Sequence, residues 1–218
     1  MEEKKIVGFV GAHMDDIELG CGGTIQVLRK RGYRCIGLVI STDPKREEAT
    51  KKSSELLGYE LILGGISEKE IDRVGQIQEI VSEKLIKPHD PFLIFGHTPK
   101  DDHHNHVAVS IGTDSACRRV KNLLHYCGPL RKWEFAPNIF FTFLEEEYKK
   151  KIQALEILGA AYGKTRYFTR EYSMESAWLG QRLFEYEQRD LAPYIKVDGE
   201  KVLPYAEGFE ARRLRDPF

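Results

Sequence analysis

The sequence predicts an α/β fold in three αβα layers, a mainly parallel sheet with helices on both faces. Three observations predict it. Short unbroken apolar runs rich in β-branched residues recur along the chain, as strands buried on both faces require. Stretches of helical period lie between them and end at glycine or proline. Strand and helix therefore alternate through the first half, which is the pattern of βαβ units.

Each element has its own reason. Residues 6–10 form an apolar, partly β-branched run that stops at Gly11, and so predict a strand. Gly20-Cys21-Gly22-Gly23 leads into a predicted helix over 24–30, with a basic end and Gly32 beyond it. Residues 35–40 predict a second buried strand. Residues 46–57 predict a helix stopped by Gly58, and 59–63 a short strand. Residues 71–86 carry helical periodicity closed by Pro88, and 91–96 predict another strand. A helix is expected over 107–124, a strand over 138–143, and helices over 145–158 and 171–186. No repeat, linker or low-complexity stretch interrupts the 218 residues, so one domain over 1–218 is expected.

Composition bounds the function. Charged residues make up 31% and net charge is −1 with histidine neutral, so no broad field recruits nucleic acid or an anionic membrane. Cys21, Cys35, Cys117 and Cys127 form no Cys-x-x-Cys pair, which argues against a thiolate zinc site or a disulfide framework. No apolar stretch reaches membrane-spanning length and no signal peptide is read, so a cytoplasmic protein without membrane insertion is expected. Trp178, Phe184, Tyr186 and Tyr194 suit either the core, which is favoured, or the interface of a homo-oligomer.

Two segments carry chemistry, and each follows an apolar run. Both are therefore expected at the carboxyl ends of strands, where open α/β sheets bind ligands. In His13-Met14-Asp15-Asp16 an imidazole and a carboxylate stand three apart and can turn to one metal ion. The remaining carboxylate is left beside it as a base, a pairing that suits metal-activated water. Glu18 is a further acid on the same segment, and the plainer role for Asp15 or Asp16 is to cap the following helix. In Asp101-Asp102-His103-His104-Asn105-His106, histidines 103 and 106 can reach one site from a helix start. The two segments together supply two histidines and one carboxylate, which leave a position open for water. That donor set suits Zn2+, and Fe2+ as well. Glycines 20–23 do not directly follow the first strand, so they are read as allowing close packing rather than as a dinucleotide fingerprint.

These residues resemble the signatures of the LmbE/PIG-L deacetylases. Ala12-His13-Met14-Asp15-Asp16 followed by Glu18-Leu19-Gly20-Cys21-Gly22-Gly23-Thr24 is similar to the first signature, and Asp101-x-His103-x-Asn105-His106 to the second. Arg46 in the helix ending Leu57-Gly58, and the tail Tyr205-Ala206-Glu207-Gly208-Phe209, extend the likeness from about residue 6 to 209. The resemblance implies a Rossmann-like, LmbE-like fold and zinc-dependent hydrolysis of an N-acetyl group on a small amino sugar, such as an N-acetylglucosamine derivative. It implies His13, Asp16 and His106 as metal ligands and Asp15 as general base. His103 would stabilise the oxyanion or protonate the leaving amine. Arg46 and Tyr172 would hold substrate.

The chain departs from the pattern twice. Met14 stands in place of proline, and Asn105 in place of an aspartate held to orient His103. Asparagine can set a tautomer but cannot offset an imidazolium charge, so His103 is expected to hold its proton less tightly. Asp101 or Asp102 is the candidate to supply the missing charge. Asn105 also raises the alternative of a weakened relative that binds metal and a sugar-like ligand. Segments 41–46 and 130–138 are expected to line the pocket mouth.

Overall fold

The computed structural model describes residues 5–128, 134–163, 196–197, 200–201 and 205–216. Five parallel strands run β3 (Glu60–Ile66), β2 (Arg34–Ser41), β1 (Ile6–Gly11), β4 (Leu93–His97), β5 (Asn122–Tyr126) across the sheet. Strand β9 (Tyr205–Arg213) then joins β5 antiparallel, and β6 (Ile139–Phe143) closes the edge beyond it, antiparallel to β9. A separate two-stranded ribbon pairs β7 (Lys196–Val197) with β8 (Glu200–Lys201). The expected three-layer architecture is observed.

Alternation along the strands divides the interior in two. Val7, Phe9, Phe95, Leu124 and Phe209 pack on one face with α1 (Asp16–Lys30). Val10, Ile36, Leu38, Ile94 and Leu123 pack on the other with α3 (Val74–Val81) and α5 (His104–Ala116). Helix α6 (Glu145–Tyr162) lies against α1 and α2 (Glu47–Leu57).

Several boundaries differ from expectation, and four of the differences have a clear physical reason. Helix α1 starts at Asp16, so the glycines lie inside it rather than ahead of it. There they permit close packing, because a Cβ at Gly20 would overlap the Tyr126 ring and one at Gly23 the Phe143 ring. The expected helix over 107–124 stops at Ala116, passes through a 3₁₀ turn (Cys117–Arg119) and becomes β5. Leu123 and Leu124 read equally as helix or buried strand from sequence, and the gap between β4 and β9 decides for strand. The expected helix over 71–86 begins only at Val74 and runs past Pro88. A π-helical turn (Ser82–Ile86) shifts the bonding register before α4 (Lys87–His89), and Asp90 ends the run at a left-handed φ of 43°. Strand β3 extends to Ile66 through a bulge opposite Ser41. The expected helix over 171–186, with Tyr172, Trp178, Phe184, Tyr186 and Tyr194, lies outside the described residues.

Candidate active site

The strand order reverses direction between β1 and β4, and the site forms at the carboxyl ends of that pair. After β1 the chain turns through His13 and Asp15 into α1. Asp15 occupies the N-cap position, yet its side chain makes no capping bond and is left for other work. Asp16 Oδ2 accepts from the His13 backbone N–H at 2.7 Å, which folds the turn back on itself. After β4, His103 caps α5 and brings His106 inward on the first helical turn.

Three predicted ligands converge here. His13 Nδ1 lies 3.1 Å from His106 Nε2 and 3.4 Å from Asp16 Oδ2, and His106 Nε2 lies 3.3 Å from Asp16 Oδ1. A tetrahedral ion with arms of roughly 2.0–2.1 Å has edges of about 3.3–3.4 Å. The two edges that meet at His106 Nε2, to His13 Nδ1 and to Asp16 Oδ1, are close to that length, and the 3.4 Å approach of Asp16 to His13 is made by its other oxygen, Oδ2. The groupings of three that could hold an ion are His13-His103-His106, Asp16-His97-His106 and His13-Asp15-Asp16, which bring His103, His97 and Asp15 within reach of the same place. The donors are two imidazoles and a carboxylate, which suit Zn2+ or Fe2+.

Electrostatics match a cation site. Burial opposes ionisation of Asp16, but His106, His97 and His13 outweigh it and hold its carboxyl well below the usual range. Burial likewise works against a charged His106, but Asp16 and Asp101 raise it to about 10. His13 is raised by Asp16 against its own burial. Asp15 is pushed up to about 8 by desolvation and by the Asp16 charge beside it.

The second loop differs in detail from expectation. Asp101 Oδ2 bonds His106 Nδ1 at 3.0 Å and also accepts from Gly128 N–H, while Oδ1 accepts from the His103 backbone N–H at 2.9 Å. Asp101 thus serves His106 and the loop backbone, not the His103 ring. The Asn105 side chain does not meet His103 either. Its amide lies 3.1 Å from His13 Nε2 and donates to the Glu68 carbonyl. What touches His103 is the Asn105 backbone N–H, donating to Nδ1 at 3.3 Å. That bond leaves the proton of a neutral His103 on Nε2. His103 is lowered from the ordinary histidine value by burial and by the imidazoles of His106 and His13, not through the Asn105 side chain.

A cavity of about 620 Å³ opens beside this cluster, lined in part by Thr42, Asp43, Pro44, Glu68, His103 and Asn105. Of segment 41–46, Thr42, Asp43 and Pro44 line it; residues 130–133 lie outside the described residues, and 134–138 are not among its lining. Arg46 stands at the N-cap of α2, its guanidinium 3.9 Å from the centre of the Tyr162 ring, between Asp43 at 3.3 Å and Glu68 at 3.4 Å. Burial and the nearby Asp15 push the Tyr162 hydroxyl up. Glu18 is not a site acid. It lies on α1 in the core, bonded to Ser53 and to Tyr59.

Sequence reasoning passed over His97, Glu68 and Tyr162. His97 had a legible signal, since it ends an apolar strand just as His13 follows one. Glu68 and Tyr162 had none, because tertiary folding alone carries them to the cluster.

The model for PIG-L, GlcNAc-PI de-N-acetylase, matches residues 9–117, half of the chain. The chain belongs to the PIG-L deacetylase family. The matched stretch holds both PIG-L segments around the site, from His13 to His106. The chain is 25% identical over 167 residues to the uncharacterized deacetylase YaiS of Escherichia coli (strain K12), covering 71% of this chain and 90% of that protein. In fold it is similar to the N,N'-diacetylchitobiose deacetylase of Pyrococcus horikoshii, with a TM-score of 0.67 at 16% identity over 96% and 84% of the two chains. It is also similar to GalB, the 4-carboxy-2-hydroxymuconate hydratase of Pseudomonas putida KT2440, with a TM-score of 0.71 at 16% identity over 98% of each chain. One fold therefore serves different reactions, and the PIG-L chemistry must be argued from the site.

Proposed function

We propose that this chain is a metal-dependent, zinc-preferring hydrolase that removes an N-acetyl group from a small amino sugar, such as an N-acetylglucosamine derivative or conjugate. The observation that carries the reading is the convergence of His13 Nδ1, the Asp16 carboxylate and His106 Nε2, 3.1–3.4 Å apart, beside Asp15, a carboxyl free of capping duty. An ion held by these three residues would supply an acidified water and polarise the amide carbonyl.

The remaining roles belong to the chain's own groups. Asp15 takes the proton of the attacking water. His103 presents Nε2–H to the carbonyl oxygen as negative charge grows there. One preorganised donor of this kind is worth roughly 3–4 kcal/mol. The amine leaves after protonation by Asp15, which returns the proton it took from the water. Asp43 and Glu68 form the wall against which the sugar rests, and Arg46, paired with both and braced by Tyr162, would hold it from behind them. With both carboxylates already on Arg46, that wall suits an uncharged sugar better than a phosphorylated one. The reaction is placed in the cytoplasm and needs no nucleic acid. Among the described residues no helix is long and apolar enough to cross a membrane.

The test is acetate release from a panel of N-acetylglucosamine derivatives, with protein loaded with Zn2+ or, without oxygen, Fe2+, and with chelator-treated protein. Chelator-sensitive release supports the reading, and the faster metal identifies the preferred ion. No release across the panel from metal-loaded protein overturns it.

A further inference from the structure

Each of the three proposed ligands is held from behind by a second group. His106 has Asp101, and His13 has the Asn105 amide together with Glu68 at 3.6 Å. Asp16 has His97. This imidazole ends β4, is fully buried, and places Nε2 3.0 Å from Asp16 Oδ2. Its ring stacks on His106 with centroids 4.1 Å apart and planes 15° from parallel.

The position of its proton follows from its neighbours. The Ala12 backbone N–H donates toward Nε2 at 3.3 Å, and the Tyr126 hydroxyl oxygen lies 3.2 Å from it. The Tyr126 hydroxyl donates to the Val10 carbonyl at 2.8 Å, so its oxygen is free to face an N–H. A lone pair on Nε2 would face the Asp16 carboxylate in a buried setting, which is repulsive. It would also put the proton on Nδ1, which is buried and has no hydrogen-bond partner among the described residues. A proton on Nε2 avoids both costs and gives up only the long Ala12 contact, since a 3.0 Å bond to a carboxylate outweighs a 3.3 Å bond from an amide and an unbonded ring lone pair is cheaper to bury than an unbonded N–H.

We infer that His97 is a positioning residue: its Nε2–H, with the His13 backbone N–H, ties Asp16 Oδ2 and leaves Oδ1 alone to face the metal. The inference rests on the reading of the site as a metal centre. A carboxylate left untied can bind through either oxygen or both. Two donors on Oδ2 make Asp16 a one-oxygen ligand, and three single-atom ligands preserve the open position that substrate and water need. His97 is not a fourth ligand, because the nitrogen that faces the site is already spent on Asp16.

The experiment uses the full chain with three variants. His97→Phe keeps a flat ring for stacking but has no N–H. His97→Gln carries an amide N–H2 to about the place of Nε2, while His97→Asn carries the same group too short to reach. Zn2+ affinity is read by competition with a chromophoric chelator, the visible spectrum with Co2+ in place of zinc, and folding by circular dichroism. The Phe and Asn variants should bind zinc about 10–100-fold more weakly than wild type, with an altered Co2+ spectrum. Gln should restore most of that loss. Wild-type affinity in His97→Phe, or equal affinities in the Gln and Asn variants, overturns the inference. Should the Phe variant not fold, the Gln and Asn pair decides. A folded wild-type protein that binds no zinc would overturn the metal reading itself. A wild type that binds zinc through His13, but is indifferent to position 97, would overturn only the role of His97.

Discussion

At the scale of single residues, Asp15 divides ion binding from proton transfer. It touches the cluster but is not needed to close the triangle of His13, Asp16 and His106. Asp15→Asn should therefore keep its metal, measured by elemental analysis, while kcat falls about 10²–10⁴-fold, the usual worth of a general base. Loss of metal together with activity would make Asp15 a ligand instead. The sign of the pH effect follows from its environment. Burial and Asp16 keep the proton on Asp15 up to about 8, and the base is the ionised form. Activity should climb with pH on the acid side, along a limb that a bound cation moves to lower pH. Much of this was legible in the sequence, because His13 and Asp16 are tied by local spacing and His106 by a helix start. The partners of those residues were not. Asn105 looked like a support for His103, yet which neighbour an amide meets depends on the rotamer and on Glu68, which arrives from another element.

At the scale of elements, the glycine segment and the tail prove to be one device. Glu207 on β9 accepts from Gly23 N–H at 3.0 Å and Thr24 N–H at 2.8 Å, in the middle of α1. Lys151 on α6 is buried and donates to the Leu19 carbonyl at 2.8 Å and to Glu207 at 2.6 Å. A buried ion pair is thus wedged into the helix backbone, locking α1, α6 and β9 together below the site. Both motifs were visible in the sequence, but 184 positions separate Gly23 from Glu207 and no local rule joins them. Removing one partner strands the other charge. Lys151→Met should cost about 3–5 kcal/mol, read as a lower urea midpoint at unchanged slope. A loss below about 1 kcal/mol, the scale of an exposed pair, would show that the pair carries little. A second tie joins α5, β5 and β9. Asp114 bonds His125 at 2.7 Å and Arg212 at 3.1 Å. Burial opposes its ionisation, but these partners hold the carboxyl below its ordinary value. A lowered acid contributes stability above its unfolded value, near 4, and loses it as pH falls through the folded one. Asp114→Asn should therefore cost about 1–3 kcal/mol at pH 7 and progressively less below pH 4. A penalty that does not shrink in acid would assign the effect to packing.

At the scale of the whole molecule, the site stitches two halves of the sheet together. β1 and its turn supply His13 and Asp16, and β4 with α5 supplies His97, His103 and His106, on either side of the reversal in strand order. An ion bound there is also a folding ligand, since its donor set is assembled only in the fold. Protons compete for the same place. Both His13 and His106 are raised, so the stability they lend as imidazolium is full below the ordinary histidine value. For His106 it is lost as pH rises through about 10. An ion needs both rings neutral and must displace those protons, so its stabilisation should grow with pH. At a hundredfold excess over its Kd an ion adds about 2.7 kcal/mol. For a chain of this length each kcal/mol moves Tm by about 2–4 °C. The gap in Tm between zinc-loaded and chelator-treated protein should then be about 5–10 °C at pH 8 and much smaller near pH 5.5. A gap of equal size at both values would mean that the ion does not displace the protons of His13 and His106, and would place it elsewhere in the molecule.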